Sequence, residues 1–535
     1  MIVSRCWPAD MHLFAGFVTR AQGTPDRPFC HLLRAGAEET VSYGAMYAEA
    51  AALAASLTAR GIRPGQIVPI VLEHRRELFS SFIGCSLAGA VPAFLPPLTR
   101  KQDPDVFRAS VAALLARIDP TLVIGSAATL ASLDLAGRAG LDIDAPRPAA
   151  ANPTPLRADD ADLAFLQHSS GTTGLKKGVC LTHGAVLRQV HAYAGAIAAT
   201  DADIVVSWLP LYHDMGLITS FIMPVVLGLP IVCLDPLEWV IRPTTLLDAI
   251  ERHRATLCWQ PNFAFHHIVR LAAPDQQWNL ASLRLLVSCS EPCRTQAFTG
   301  FAERFAASNL PPTALATSYA MAENVFAVTQ TLPGMQPRPG TGAAAGFLSS
   351  GVPLHGTALR LFDPSGAPVA DGELGEIHIH GDCLFNGYHH QPELTAQRIS
   401  DGWYATGDIA IQDGGDLFVI GRTDDVLNIN GRKLVAHELE DALNGVPGIA
   451  PGRVIVFADH AEAQGATELA VAAEPATDAP PGSEAASTIR RAVLAQTGLR
   501  PSRVVFVPRG FLLKSTSGKI SRAASLAKLR AHGYA

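Results

Sequence analysis

The stretch from Phe165 to Val179, FLQHSSGTTGLKKGV, places small, hydroxyl-bearing and basic residues directly after an apolar run that is typical of a strand. Glycines let backbone N–H groups approach phosphate oxygens closely, hydroxyls add donors, and lysines add positive charge. The segment lacks the GxxxxGK[ST] spacing of a Walker A loop. Since a strand precedes it and a helix is predicted to open at Thr182, we interpret the segment as a phosphate-binding loop.

Five further segments carry charged or aromatic residues that could act on a nucleotide. In chain order they are WLPLYHDMGL (208–217), SYAMAEN (318–324), WYATGDIA (403–410), GRTDDVLNINGRKL (421–434) and KSTSGKISR (514–522). Together with SSGTTGLKKG they resemble, in the same order, the motifs of the adenylate-forming superfamily. That superfamily includes acyl-CoA synthetases, peptide-synthetase adenylation domains, luciferases and fatty acyl-AMP ligases. Three positions depart from its usual residues: Lys176 and Leu513 replace prolines, and Ala320 replaces a glycine.

The resemblance implies a ligase that joins a carboxylic acid to ATP, giving acyl-AMP and pyrophosphate. Such an enzyme must position two negatively charged reactants and neutralise charge on the phosphate oxygens. By resemblance, Glu323 would bind Mg²⁺, which suits one carboxylate plus substrate phosphates. Tyr319 would stack on adenine, and Asp408 and Arg422 would hydrogen-bond the ribose hydroxyls. The β- and γ-phosphates of ATP would be held by Ser169, Thr172, Thr173 and Lys177.

The resemblance also assigns residues to the acid and to the chemical step. Lys519 would contact both the substrate carboxylate and the α-phosphate and draw them together in the transition state. His213 would lie near the carboxylate, as a catalytic and pocket residue. Asp424 corresponds to a hinge about which the C-terminal domain rotates between adenylation and thioester formation. Further pocket residues are predicted at Asn262, Ser288, Ser290 and Ala320.

Three segments favour the fatty acyl-AMP ligase branch of the superfamily. They are WLPLYHDMGLI, QPNFAFHHIVR from Gln260, and SCSEPCR from Ser288. Members of that branch usually pass the acyl group to the phosphopantetheine thiol of a carrier protein. No segment after Gly431 looks like a carrier domain, so the predicted partner is a separate acyl carrier protein of a polyketide or peptide pathway.

Other features leave alternatives open. Only 32 positions separate Tyr319 from Gly351, which is short for the insertion that marks the branch, and DDVLNINGRKLVAHELE looks more like acyl-CoA synthetases. The first alternative is therefore an acyl-CoA synthetase with CoA as acceptor. A ligase acting on a small nucleophile and an inactive nucleotide-binding scaffold are the others. The small residues at 288–290 keep a short or functionalised acid open beside a long fatty acid.

The composition narrows the protein class and its partners. The chain has 535 residues, 48% of them hydrophobic and 17% charged, which predicts a globular protein with a sizeable core. A formal net charge of −6 argues against a general nucleic-acid partner. Nine scattered cysteines without a CxxC pair, and no signal-peptide pattern, favour a cytoplasmic protein with reduced thiols. Prolines and glycine within 215–234 predict a buried helix, turn and strand there, with no transmembrane segment.

Alternating helical and strand-like runs predict an α/β fold with largely buried sheets. From Leu359 the alternating pattern around a Ser-Gly turn predicts antiparallel β-structure. Residues 1–423 would form a large N-terminal adenylation domain that binds ATP and the acid and contains this β-rich subdomain. Residues 424–535 would form a small mobile α+β domain that carries the hinge and the lysine loop.

Overall fold

The computed structural model describes residues 12–98, 104–148, 158–168, 177–429, 432–443, 446–461, 466–477, 483–514 and 520–534. Of the predicted site residues, Ser169, Thr172, Thr173 and Lys519 lie outside these ranges. The described residues divide into two compact units. The first runs to Val419 without Gly407–Ile409, and the second contains Gly407–Ile409 and the residues from Ile420 onward.

The strands of the first unit, with β19 and β20 continuing into the second, are β1 (Pro28–Arg34), β2 (Ala37–Ser42), β3 (Ile67–Val71), β4 (Val91–Leu95), β5 (Leu122–Gly125), β6 (Ala139–Asp142), β7 (Leu163–His168), β8 (Gly178–Thr182), β9 (Val205–Ser207), β10 (Ile231–Leu234), β11 (Leu257–Pro261), β12 (Leu285–Cys289), β13 (Leu315–Ala320), β14 (Ala327–Gln330), β15 (Val352–Pro353), β16 (Thr357–Phe362), β17 (Leu374–Gly381), β18 (Ile399–Ser400), β19 (Trp403–Asp413) and β20 (Asp416–Arg422). Those of the second unit are β21 (Val426–Ile429), β22 (Arg432–Val435), β23 (Ile449–Ala461), β24 (Ala466–Pro475) and β25 (Arg503–Phe506).

The α-helices are α1 (Ala15–Gly23), α2 (Tyr43–Ala59), α3 (Arg76–Leu87), α4 (Pro104–Ile118), α5 (Ala127–Ser132), α6 (His183–Ala196), α7 (Asp214–Leu217), α8 (Met223–Leu227), α9 (Pro236–Ile241), α10 (Thr245–His253), α11 (Asn262–Leu271), α12 (Thr295–Phe305), α13 (Pro392–Arg398), α14 (Ala436–Leu443), α15 (Ser483–Thr497) and α16 (Arg522–Ala531).

A nine-stranded sheet forms the centre of the first unit, in the order β15-β14-β13-β12-β11-β9-β10-β1-β2. The strands from β13 to β1 are parallel, and β2, β14 and β15 are antiparallel at the two sides. Strands β9 to β12 are buried throughout, as expected of parallel strands with both faces covered. The predicted α/β class with buried sheets is confirmed.

Three smaller β-structures complete the first unit. A parallel sheet has the order β4-β3-β5-β6, and β7 and β8 form an antiparallel hairpin. Strands β16, β17, β19, β18 and β20 form an antiparallel sheet. It begins where the alternating pattern after Leu359 predicts antiparallel structure, and that prediction is confirmed. Strand β8 is a difference from the sequence analysis, in which the loop led directly into the helix at Thr182.

The apolar segment 215–234 folds as helical turns followed by a strand. Helix α7, a π-helical stretch (Ile218–Ile222) and α8 end at Gly228, which has a φ of +79°, and β10 follows. A residue at positive φ ends a helix, and glycine adopts that φ without steric cost. Among the described residues, no helix is long and apolar enough to cross a membrane.

The second unit has a core of its own. Strands β23, β24 and β25 form a three-stranded sheet, and β21 pairs with β22. Apolar side chains of α14 and α15, including Leu439 and Ile489, pack against those of β23 and β24, including Val456 and Val471. This arrangement of a small sheet and helices agrees with the α+β structure predicted for the C-terminal region.

Candidate active site

Several predicted site residues follow the carboxyl ends of neighbouring parallel strands. His213 comes after β9, Asn262 after β11, Ser290 after β12, and Ala320 ends β13. Strands β9, β11, β12 and β13 are adjacent and parallel in the nine-stranded sheet. Because carboxyl ends of parallel strands meet at one edge, these four positions share that edge, where ligands bind in open α/β sheets.

The loops after β11 and β12 are tied together by hydrogen bonds. The backbone N–H of Phe263 donates to Oε2 of Glu291 at 3.0 Å, and that of Arg294 donates to Oδ1 of Asn262 at 3.4 Å. Asn262 is therefore a buried structural link between the loops as well as a predicted pocket residue.

Ser288 lies fully buried on β12, where its hydroxyl contacts a thiol. The Sγ atom of Cys293 lies 3.5 Å from Oγ of Ser288. Burial raises the pKa of Cys293 to about 12, so the group is a neutral thiol at neutral pH. Ser290, two residues further on, is exposed and has a φ of +67°. Of the two predicted serines, Ser290 is the one whose side chain solvent reaches.

A cluster around Tyr388 joins two of the predicted nucleotide-binding residues. The phenol of Tyr388 donates to Oε1 of Glu323 at 2.8 Å, and its oxygen lies 3.0 Å from the hydroxyl of Tyr404. The Nζ of Lys177 lies 5.1 Å from the centre of the Tyr388 ring. Burial, and then the charge of Glu323, raise the pKa of Tyr388, so it stays a protonated donor. The ammonium of Lys177 and the carboxylate of Glu323 thus both lie beside one fixed ring.

The hairpin of β7 and β8 is held against the segment that carries Tyr388. The N–H of Cys180 donates to the carbonyl of Gly387 at 3.0 Å, and the N–H of Asn386 donates to the carbonyl of Cys180 at 2.9 Å. Lys177 immediately precedes β8, so its backbone is fixed beside this connection. These hydrogen bonds explain how residues more than 200 positions apart in the chain meet.

The backbone around Glu323 contains a strained turn. Glu323 lies in a 3-10 turn (Ala322–Asn324), and Val325 follows with φ +63° and ψ −54°. The N–H of Phe326 donates to the carbonyl of Asn324 at 2.7 Å, which closes a γ-turn of the rare, strained type. A β-branched residue in this conformation costs about 1–3 kcal/mol, and such strain clusters at functional sites. The carbonyl of Glu323 is fixed in addition by the N–H of Phe385 at 2.8 Å.

The donor set of this cluster fits Mg²⁺ and a triphosphate. Glu323 is half-buried and supplies carboxylate oxygens, the ligand type that Mg²⁺ prefers. One of those oxygens accepts from Tyr388, which orients the carboxylate as outer partners do in metal sites. Lys177 adds a positive charge for phosphate oxygens next to the same ring.

In the second unit, the two residues predicted to bind ribose contact each other. Nε of Arg422 lies 3.2 Å from Oδ1 of Asp408, and both side chains are partly exposed. The hydroxyl of Thr423 donates to the carbonyl of Gly407 at 3.2 Å, which joins the same two segments. Asp424, the predicted hinge residue, is exposed in the 3-10 turn Thr423–Asp425.

The ends of the segment that contains Lys519 lie side by side in the second unit. Lys514 and Ile520 form an antiparallel bridge, and the N–H of Ser521 donates to the carbonyl of Leu513 at 2.8 Å. Arg522 then pairs with Asp425 and, at 2.7 and 2.8 Å, with both carboxylate oxygens of Glu440. Burial lowers the pKa of Arg522 to about 10, which leaves it charged at neutral pH.

The sequence analysis missed Tyr388 and Tyr404, which organise Glu323. Tyr404 belongs to the WYATGD motif, so the motif itself was a signal for it. Tyr388 follows Asn-Gly in a segment that matched no quoted motif. Tyr319 is buried at the end of β13, as expected of a residue at the sheet edge, and its stacking on adenine stays a prediction.

Comparison with known proteins identifies the class of enzyme. A model of the AMP-binding enzyme family matches residues 17–389. The chain is 30% identical over 562 residues to a long-chain-fatty-acid–AMP ligase, FadD26, of Mycobacterium marinum, covering 93% of each protein. The chain therefore belongs to the AMP-binding enzyme family, and it is an ATP-dependent, AMP-forming ligase. The resemblance to the adenylate-forming superfamily is confirmed.

Two solved structures show the same fold. One comes from a study of fatty acyl-adenylate ligases from E. coli and L. pneumophila, with a TM-score of 0.87, 25% identity, and 98% of this chain and 99% of that chain covered. The other, McyG A-PCP complexed with phenylalanyl-adenylate, has a TM-score of 0.87 at 23% identity and covers 99% of this chain and 84% of that chain. The fold is that of adenylate-forming enzymes.

Proposed function

We propose that the chain activates a long-chain fatty acid as its acyl-AMP and then transfers the acyl group to the phosphopantetheine thiol of a separate acyl carrier protein. The observation that carries this proposal is the cluster of Lys177, Tyr388 and Glu323 in a chain related to a long-chain-fatty-acid–AMP ligase. The cluster provides the positive charge and the metal-binding carboxylate that a triphosphate needs. The neighbouring sheet edge provides the place for the acid.

In the proposed reaction, Glu323 holds Mg²⁺, and Lys177, together with Ser169, Thr172 and Thr173, binds the β- and γ-phosphates. Asp408 and Arg422 accept and donate hydrogen bonds to the ribose hydroxyls, and Tyr319 stacks on adenine. Mg²⁺ supplies charge neutralisation on the phosphate oxygens when it is bound. Lys519 neutralises the charge that develops between the acid carboxylate and the α-phosphate.

The acid site of the proposal is the carboxyl edge of the large sheet. Its residues from three strands, His213, Asn262 and Ser290, share that edge with Ala320. Ser288 supports the edge from within β12 and does not meet solvent. An apolar chain entering there would meet small residues along β12 and β13, which favour a narrow, extended occupant.

The acceptor is tested by supplying each thiol separately. The purified chain is incubated with radiolabelled long-chain acid, ATP and Mg²⁺, and with either a phosphopantetheinylated carrier protein or CoA. We expect acyl-AMP with either mixture and thioester only with the carrier. Formation of acyl-CoA without carrier loading would make the chain an acyl-CoA synthetase, and failure to release pyrophosphate with any acid would overturn the proposal.

A further inference from the structure

Two histidines and a glutamate converge on one edge of the nine-stranded sheet, in a place that the proposed reaction does not use. His31 lies on β1, Glu38 on the edge strand β2, and His253 is the last residue of α10. In the antiparallel register His31 is opposite Thr40 and Leu33 is opposite Glu38. His31 and Glu38 are therefore diagonal neighbours on one face of the hairpin, where side chains come within reach of each other.

The nitrogen and oxygen atoms of these three side chains lie at the spacing of metal ligands. Nδ1 of His31 is 3.1 Å from Oε1 of Glu38, and Nε2 of His253 is 3.4 Å from Oε2 of Glu38. One ligand atom from each residue can be chosen so that all lie within 4.8 Å of one another. Ligands of a tetrahedral Zn²⁺ at 2.0–2.2 Å stand about 3.3 Å apart, so only small side-chain adjustments are required.

The state of His253 points in the same direction. Within the part of the chain that the structure describes, its Nε2 atom is shielded from solvent and has no hydrogen-bond partner, although it faces the Glu38 carboxylate. A shielded imidazole nitrogen without a hydrogen bond is unfavourable, and a metal ion would satisfy it. The side chains of His31, Glu38 and His253 are 21%, 28% and 12% exposed, which leaves an ion a path from solvent.

From this geometry we infer that His31, Glu38 and His253 form a Zn²⁺ site, distinct from the Mg²⁺ site of the nucleotide. Two imidazoles and one carboxylate, with a position left for water, are an established zinc ligand set, whereas Mg²⁺ prefers oxygen ligands. The bound ion would fasten the edge strand β2 to the end of α10, two elements that are far apart in the sequence. Arg252, whose Nη1 lies 3.5 Å from Oε2 of Glu38, is 62% exposed and can turn away into solvent.

The test uses the full chain without a polyhistidine tag, stripped of metal by a chelator. Zn²⁺ binding is measured by competition with a chromogenic chelator, and Co²⁺ is added separately to record the visible absorption of its ligand field. We expect one tight equivalent of Zn²⁺ and a Co²⁺ spectrum of low coordination number. His31→Gln and His253→Gln should each weaken Zn²⁺ binding by at least about 10–100-fold, the loss that changes to outer partners alone cause in natural sites.

His355→Gln serves as the matched control, since this histidine is exposed and outside the cluster. Its Zn²⁺ affinity should equal that of the wild type. Thermal unfolding checks that the metal-free variants are folded, and Zn²⁺ should raise the Tm of the wild type and the control but not of the two cluster variants. Absence of tight Zn²⁺ binding in the wild type, or equal affinity in all three variants, would overturn the site. Because these measurements need no acid or ATP, their outcome is independent of the proposed ligase reaction.

Discussion

At the scale of single residues, the hydroxyl of Tyr388 is the contact that orients the metal-binding carboxylate. It is buried, donates to Glu323 at 2.8 Å, and lies 3.0 Å from the hydroxyl of Tyr404. A hydrogen bond to a charged group contributes about 1.5–3 kcal/mol, more than one between neutral groups. Tyr388 is therefore a positioning residue, which acts through Glu323.

Tyr388→Phe should lower the rate of acid-dependent pyrophosphate exchange by roughly 10- to 100-fold, because the carboxylate loses its charge-assisted hydrogen bond. The Mg²⁺ concentration that gives half the maximal rate should rise as well, which a purely structural role would not produce. Tyr404→Phe is the matched control, since it leaves the bond between Tyr388 and Glu323 in place, and its effect should be smaller. Equal rates and equal Mg²⁺ dependence in wild type and Tyr388→Phe would contradict this role.

Motifs made most of the site residues predictable, whereas their partners were not. Lys177 and Glu323 stand in segments whose residue types suit phosphate and Mg²⁺, so chemistry and motif together suggested them. Tyr388 lies 65 positions after Glu323, and only the folded chain places its hydroxyl on that carboxylate. The contact between Asp408 and Arg422 is similar, because each was predicted separately for ribose and their proximity appears only in the structure.

At the scale of elements, Gly351 fixes how the edge of the large sheet is built. It precedes β15, has a φ of +84°, and a Cβ at this position would lie 2.0 Å from the carbonyl carbon of Gln330. Gln330 ends β14, which pairs with β13, the strand that leads to Glu323. The close approach of these two backbones therefore supports the cluster around Tyr388.

Gly351→Ala should destabilise the first unit by more than about 4 kcal/mol, since neither backbone can move without breaking the β14 pairing. Gly346→Ala is the control, because Gly346 also has a positive φ, +86°, but its Cβ would meet nothing within 4 Å. That variant should lose only about 1–2 kcal/mol from the unfavourable backbone conformation. Chemical unfolding followed by fluorescence measures both. Similar midpoints for the two variants would show that the steric contact is unimportant.

The elements themselves were largely predictable, and their order in the sheets was not. Helix α2 and strands β5, β7 and β10 stand where apolar periodicity and turn residues predict them. Strand β8 was missed because GVCLT is a short apolar run directly before a helix, and only its pairing with β7 defines it as a strand. The place of β10 between β9 and β1 depends on contacts between distant segments, which local patterns do not contain.

At the scale of the whole molecule, the division of the chain bears on the order of the two half-reactions. The second unit contains Asp408, Arg422 and Asp424, and the ends of the Lys519 segment are fixed within it by Arg522. We propose that one chain performs both half-reactions by reorienting this unit about Asp424. Two substitutions separate the steps, because one removes the adenylating lysine and the other restricts the hinge.

Lys519→Ala should abolish most acid-dependent pyrophosphate exchange while ATP still binds, because the developing charge between carboxylate and α-phosphate loses its cation. When synthetic acyl-AMP is supplied, the same variant should still load the carrier protein. Exchange is measured with labelled pyrophosphate, and ATP binding by calorimetry. A wild-type exchange rate in this variant would show that Lys519 is not the adenylating residue.

Asp424→Pro should give the opposite pattern, with acyl-AMP formed at nearly the wild-type rate and little thioester. Proline fixes φ and removes the backbone N–H, so the exposed turn Thr423–Asp425 could no longer absorb a change of backbone angles. Asp424→Ala is the control, since it removes the carboxylate and keeps the backbone free, and it should transfer the acyl group normally. Both products are followed in one reaction by labelled acid and chromatography. Normal carrier loading by Asp424→Pro would place the pivot at another residue, and equal loss of thioester in both variants would show that the side chain, and not backbone rotation, is what transfer requires.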